Sequence, residues 1–246
     1  MDKRRCAHFS SFLAVIGNNF NVLSFGFVEF LPIELTYNSN NMEASKLTHD
    51  ETRYIYETNT IGIDKQSLNV DDIIETVNHF HCVDLIIEHA EDKLSEKFIK
   101  LLHYTLKTGS SDSRKSWFAV GGYKRVPNEV GGQITTAPEE VSDKMSALLA
   151  KYNDIKEKTL FDLIDFHYQF EQIHPFQDGN GRVGRLILFK ECLKNNIVPF
   201  IINDETKMFY YRGLKEWQRE KGFLTDTCLA EQDAFKQYLD YFRIEY

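Results

Sequence analysis

The feature that most limits what this chain can fold into is one twelve-residue run between two apolar segments. It reads His174-Pro175-Phe176-Gln177-Asp178-Gly179-Asn180-Gly181-Arg182-Val183-Gly184-Arg185. Upstream, Leu160, Phe161, Leu163, Ile164, Phe166, Tyr168, Phe170 and Ile173 recur in a way that fits a largely buried helix better than an alternating strand. Downstream, Leu186-Ile187-Leu188-Phe189 through Leu193 continues as a second apolar helix starting near Gly181 or Arg182. The run is therefore a helix–loop–helix hinge, with its glycines opening the second helix.

That position gives the side chains their chemistry. A helix N-terminus offers free N–H groups and partial positive charge, so it binds anions. Gly179 and Gly181 can curl successive N–H groups into a nest around a phosphate. Arg182 and Arg185 are three apart, hence on one face, and their forked donors suit phosphate oxygens. Asp178 is a hard oxygen ligand for Mg²⁺, an ion commonly shared with substrate phosphates. His174, ending the first helix, has the intrinsic pKa of a base working near neutrality. Together these groups point to transfer of a phosphorus-containing group from a nucleotide.

The segment Gly179 to Gly184 also matches Gly-x-Gly-x-x-Gly, but that fingerprint needs a preceding strand in a βαβ unit, and the preceding segment reads as helix. A P-loop is excluded because Gly-x-x-x-x-Gly-Lys-Ser/Thr is absent. A hydrolytic His–Asp site would lack a Ser or Cys nucleophile within the run.

The run resembles the signature of the Fic family, His-x-Phe-x-Asp/Glu-Gly-Asn-Gly-Arg-x-x-Arg, with every defined position filled. The resemblance implies a mainly α fold, a Fic-type helical bundle with a short β-hairpin flap beside the active site. It implies a protein adenylyltransferase that moves AMP from ATP to a Ser, Thr or Tyr hydroxyl of a protein and releases pyrophosphate. His174 would be the general base, and Asp178 would hold Mg²⁺. Gly179, Asn180, Gly181 and Arg182 would bind the α- and β-phosphates, and Arg185 the γ-phosphate. Phe176 would anchor the loop in the core. Doc-like members, which transfer phosphate, carry lysine where this chain has Gly181, so glycine favours nucleotidyl transfer. Other donors, such as UTP for UMP transfer, and a catalytically silent nucleotide-binding module stay open as alternatives.

The 246 residues allow one substantial core with a small appendage. Hydrophobic and charged contents of 42% and 27% are ordinary for a globular protein, and a net charge of −8 argues against a nucleic-acid partner. The cysteines at 6, 82, 192 and 228 are scattered without metal-ligand pairing, as in a reduced cytoplasmic protein. His79-Phe80-His81-Cys82 lacks a second ligand pair. No segment reaches the ~18 apolar residues of a membrane span. The expected partners are ATP and a protein target; self-modification and a homo-oligomer are compatible with this.

Residues 1–41 read as an N-terminal extension, and 42–246 as the Fic-type domain. Lys3-Arg4-Arg5 before Phe9 to Ile16 has the order of a signal peptide, but the apolar run is short and broken by Gly17-Asn18-Asn19. Phe25 to Leu31 could form a strand, Tyr37 to Asn41 reads as a polar linker, and Met42 would serve as an alternative start. A capping box at Thr48 and Glu51 predicts a helix over about 48–61, with Gly62 as its stop.

Some relatives carry an inhibitory helix ending in Ser/Thr-x-x-x-Glu-Gly/Asn, whose glutamate pairs with the second signature arginine. Thr58-Asn59-Thr60-Ile61-Gly62 resembles this motif with Gly62 in place of the glutamate, which would leave Arg185 unopposed. The alternative is that Gly62 is only a helix cap.

Further helices are expected over Val70–His89, Ser95–Lys107, Thr136–Tyr152 and Leu229–Tyr246. Between them, residues 117–136 read as the flap, with strands 117–126 and 130–138 around a turn at Pro127-Asn128-Glu129. The family's flap pairs with an extended target segment. Tyr123, Lys124, Arg125 and Val126, with Ile134, are the candidate docking residues. The Tyr-Tyr-x-x-Leu stretch of the family, which helps line the adenine pocket, is matched by Tyr210 and Tyr211, with core packing the alternative.

Overall fold

The computed structural model describes residues 22–62 and 67–246. The signal-like run Lys3 to Ile16 lies outside them. Among the described residues the fold is a helical bundle. Its elements are α1 (Val22–Met42), α2 (His49–Thr58), α3 (Val70–Glu88), α4 (Glu96–Lys107), β1 (Glu129–Val130), β2 (Gln133–Ile134), α5 (Pro138–Asp154), α6 (Leu160–Ile173), α7 (Asn180–Lys194), α8 (Lys207–Glu216) and α9 (Gly222–Tyr241). It is mainly α, as the apolar periodicity predicts.

The bundle forms around α7. Nearly every residue of this helix is buried, from Val183 through Leu193, so it has no solvent face and its polar groups must be paired. α1, α3, α4 and α6 surround it. α6 starts at a capping box of Thr159 and Asp162 and stops at His174, which takes the left-handed conformation at φ 50°. α7 starts at Gly179, also left-handed at φ 78°. The signature run is thus the tight turn between two core helices.

Local signals mislead at the N-terminal side. Phe25 to Leu31 is not a strand and Tyr37 to Asn41 is not a linker: both belong to α1, which carries Pro32 inside it. Tertiary contacts override propensity here. Phe27 and Phe30 interleave with Phe235, Tyr238 and Phe242 of the C-terminal segment. The polar end of α1 finds buried partners instead of water. Thr36 Oγ1 lies 2.9 Å from His79 Nδ1, and Asn40 Nδ2 donates to Thr76 Oγ1 at 3.1 Å. The described part of the expected extension is therefore a core helix.

α2 begins at the expected capping box but ends at Thr58, with Asn59 as its left-handed cap. Gly62 is exposed, three residues beyond that cap, and does not stop the helix. The flap hairpin also differs from expectation. Its strands are two residues each, Glu129 pairs with Ile134 and Val130 with Gln133, and the turn is Gly131-Gly132. Residues 117–126 form turns and bends instead of a strand, with Tyr123 packed on Phe176 and the Lys124 N–H bonded to the Pro175 carbonyl of the signature loop.

Candidate active site

The signature loop is braced from below. Phe176 is fully buried and stacks on the His103 ring at 3.9 Å between centroids and 5° between planes. Gly121 N–H donates to His103 Nδ1 at 3.0 Å, which leaves Nε2–H to donate to the Asp178 carbonyl at 3.2 Å. Asn180 braces from within: its Oδ1 accepts from Phe176 N–H at 2.8 Å and its Nδ2 donates to the Phe176 carbonyl at 2.9 Å. Asn180 was expected to bind phosphate; its amide is committed to the loop backbone on both sides. At Gly179 a side chain would press on Leu106 and Lys107 in addition to the strain of positive φ. The first N–H groups of α7 have no intrahelical acceptors, the property that lets a helix N-terminus take an anion.

His174 has only 15% of its side chain exposed, and its Nδ1 has no hydrogen-bond partner. Glu171 Oε2 is 3.9 Å from that nitrogen. Burial, and then the charge of Lys124, push the imidazole down to about 4, so it stays neutral at physiological pH. A neutral imidazole is the form able to take a proton. Burial acts on Glu171 in the opposite sense and raises it to about 8, despite the opposing pull of Arg185. Glu171 is therefore a neutral acid beside a neutral base.

Asp178 is half-exposed at the mouth of a cleft of about 190 Å³. Burial would raise its carboxyl, but Lys107 and Arg182 outweigh that and carry it down to about 2. Arg182, 5% exposed, meets Glu75 through Nη1 and lies 3.6 Å from Asp178 through Nη2. Glu75, Asp112 and Asp178 each bring one carboxylate oxygen to within 4.8 Å of the others. Three such oxygens suit a hard cation such as Mg²⁺.

Arg185 is not unopposed. Its Nη2 donates to Glu43 Oε1 at 2.8 Å and to the Ser39 carbonyl at 2.9 Å, and Nε donates to Ser39 Oγ at 3.1 Å. Thr58 is exposed, and among the described residues its hydroxyl bonds locally, to Tyr54 O and Thr60 Oγ1. Among the described residues nothing lies within 4 Å of where a Gly62 side chain would start. A Ser-x-x-x-Glu spacing recurs across the end of α1, Ser39-Asn40-Asn41-Met42-Glu43 followed by Ala44, and the carboxylate that meets Arg185 is Glu43. Ser39 lies in the last turn of α1 and Glu43 is the first residue past it, in a turn where its N–H donates to the Asn40 carbonyl at 3.0 Å, and both meet Arg185. At Gly181 a side chain would collide with the Glu43 carboxylate, so the glycine makes room for the approach of α1.

The remaining candidates divide. Tyr210 is 1% exposed with its hydroxyl 2.6 Å from His167 Nε2, and it packs in the core. Tyr211 is partly exposed, and its hydroxyl donates to the Met42 carbonyl at 3.1 Å, tying α8 to the end of α1.

In the flap, Tyr123 packs on Phe176, and Lys124 is 3% exposed. The Lys124 ammonium donates to Asn128 Oδ1 at 2.7 Å and Thr135 Oγ1 at 2.5 Å, and its N–H donates to the Pro175 carbonyl at 2.9 Å. These two residues anchor the flap to the loop instead of facing a target. Arg125, Val126 and Ile134 are outward, Ile134 at 84% exposure. Sequence reasoning missed Ser39, Glu43, Glu75, Lys107, Asp112 and Glu171. Only the Ser39–Glu43 spacing carried a signal.

The model of the Fic/DOC family matches residues 93–191. The chain is similar to protein adenylyltransferases Fic of Nematostella vectensis, at 27% identity over 190 residues, and of Drosophila mojavensis, at 28% over 188. It covers 73% of itself in each match but only 42% and 35% of those relatives, so it spans less than half their length. A Fic domain containing signaling protein from Bacteroides thetaiotaomicron superposes with a TM-score of 0.74 at 25% identity, covering 97% of this chain and 91% of that one. Fic-1 from C. elegans shares the fold, with a TM-score of 0.75 at 17% identity over 98% of this chain and 72% of that one. The signature loop, complete and set in this bundle, lies within residues 93–191, the stretch of this chain that matches the Fic/DOC family.

Proposed function

We propose that this chain is a protein adenylyltransferase, transferring AMP from ATP to a hydroxyl side chain of a protein. The observation that carries the reading is a neutral His174 at the lip of a braced anion-binding loop, with Asp178 and Arg182 on the same turn. The names of its relatives agree with it.

In this reading the target hydroxyl oxygen attacks the α-phosphorus while His174 takes its proton. The bond from that phosphorus to the bridging oxygen of the β-phosphate breaks, and pyrophosphate leaves. The N–H groups at the start of α7 and the guanidinium of Arg182 stabilise the charge that develops. Asp178, with Glu75 and Asp112 close by, would hold Mg²⁺, which when bound neutralises charge on the leaving phosphates. Gly181 leaves no side chain between the loop and the nucleotide. The exposed flap edge at Arg125, Val126 and Ile134 would dock an extended segment of the target.

The Glu43–Arg185 contact restrains this activity. Arg185 is the group that would receive the terminal phosphate, and its Nε and Nη2 donors are already taken by Ser39 and Glu43. Among the described residues no helix is long and apolar enough to cross a membrane, and Cys82, Cys192 and Cys228 are free thiols, which fits a cytoplasmic location.

The test is incubation of a Glu43→Gly variant with Mg²⁺ and ATP labelled at either the α- or the γ-position. Label retained on protein from the α-position alone supports AMP transfer. Retention from the γ-position would instead make it a phosphotransferase.

A further inference from the structure

Lys107 closes α4 at the floor of the cleft, with its side chain 2% exposed. Its ammonium meets three carboxylates: Glu75, Asp178 at 2.7 Å and Asp112 at 3.1 Å. Hard divalent ions are held by shells of just such oxygens, so the ammonium sits at the centre of a cation shell. Asn40 supplies a second, independent sign. It lines the same cleft, is 4% exposed, and its Oδ1 accepts no hydrogen bond. A buried amide oxygen without a partner is costly unless something occupies it. In a carboxylate-lined cleft the fitting occupant is a cation, or a water that the cation carries.

We propose that Glu75, Asp112 and Asp178 form a divalent-cation site that Lys107 holds closed until a polyphosphate arrives, so that the ion enters with the nucleotide and not ahead of it. Of the three carboxylates only Asp178 lies in the signature. The inference rests on reading this cleft as the nucleotide site.

The ammonium and a dication cannot share so small a shell, because like charges at this separation repel strongly where water screens them little. With Lys107 and Arg182 both in place, an added dication would leave the cluster net positive. A polyphosphate reverses that balance. Its oxygens draw Lys107 and Arg182 toward themselves and also complete the coordination of the ion.

The test is a titration of the nucleotide-free protein with Mn²⁺, with bound ion read by electron paramagnetic resonance. Because it reads ion binding and not labelling, its outcome is separate from whether the chain transfers AMP. The parent is expected to bind only in about the millimolar range. Lys107→Met should bind at least tenfold tighter, Lys107→Arg should behave like the parent, and adding Asp178→Asn to Lys107→Met should abolish the gain. A folded Lys107→Met variant, checked by circular dichroism, that binds no tighter than the parent overturns the proposal.

Should Lys107→Met fail to fold, the parent chain decides. Micromolar Mn²⁺ binding without nucleotide overturns the gate. In the presence of a non-hydrolysable ATP analogue, Asp112→Asn should weaken Mn²⁺ binding at least threefold, and an unchanged affinity overturns the three-carboxylate site.

Discussion

Glu43 Oε1 lies 2.8 Å from Arg185 Nη2, joining the first residue past α1 to the second arginine of the signature. Arg185 is 7% exposed and Glu43 31%, so the pair is part-buried and only partly screened. Glu43→Gly should free the guanidinium for phosphate. ATP affinity is expected to rise at least about tenfold, equivalent to ~1.4 kcal/mol, as read by calorimetry. The same change leaves a buried charge short of a partner, so unfolding stability in urea should fall by about 1–3 kcal/mol.

Gly62→Glu should leave both ATP binding and labelling within about twofold, inside the ±0.5 kcal/mol typical of surface substitutions. Among the described residues nothing lies within 4 Å of where a Gly62 side chain would start, and Arg185 already has its carboxylate partner. Suppression of labelling by this substitution would return the inhibitory role to residues 58–62.

His174 sets the acid limit of the reaction. Removing it should cost ~10²–10⁴-fold in rate. Because burial and Lys124 hold its imidazole down to about 4, the base is lost only as pH falls through about 4. The rate should therefore be insensitive to this group at neutral pH. Lys124→Met removes one of the two causes and should move the acid limb upward, toward the ordinary histidine value of about 6.5. A parent limb already at that ordinary value would contradict the buried, neutral imidazole.

Glu171 links stability to pH in the alkaline direction. Its folded-state carboxyl is raised to about 8 by burial, above the ordinary glutamate value of 4.5. The unfolded chain therefore gives up this proton first, and the stabilisation is present below that ordinary value and lost as pH rises toward 8. Glu171→Gln keeps the neutral shape without the titration. Its stability relative to the parent should rise with pH across that window, as read by thermal melting at several pH values. A constant difference across the window would place an ionised Glu171 beside His174.

The signature loop was legible because its information is local. A base, an acid, two arginines and turn-forming glycines lie within twelve residues, bounded by two apolar helices. The end of α1 was not legible, because Tyr37 to Asn41 is polar and becomes helical only when Thr76, His79 and Arg185 supply buried partners. The ion cluster was hidden for a similar reason. Glu75, Lys107 and Asp112 lie on separate segments, and only the packing of α3 and α4 beside α7 brings them to Asp178. The flap failed in register: Trp117 to Val126 has strand composition, yet Tyr123 and Lys124 turn inward to hold the signature loop.

The most direct measurement is the α-label retained on protein from [α-³²P]ATP and Mg²⁺ by the parent, by Glu43→Gly, and by Glu43→Gly combined with His174→Ala. Label on the Glu43→Gly variant well above the parent, lost in the double variant and absent with [γ-³²P]ATP, is the result this account requires. No label from a folded Glu43→Gly variant that binds ATP, or label surviving loss of His174, would contradict it.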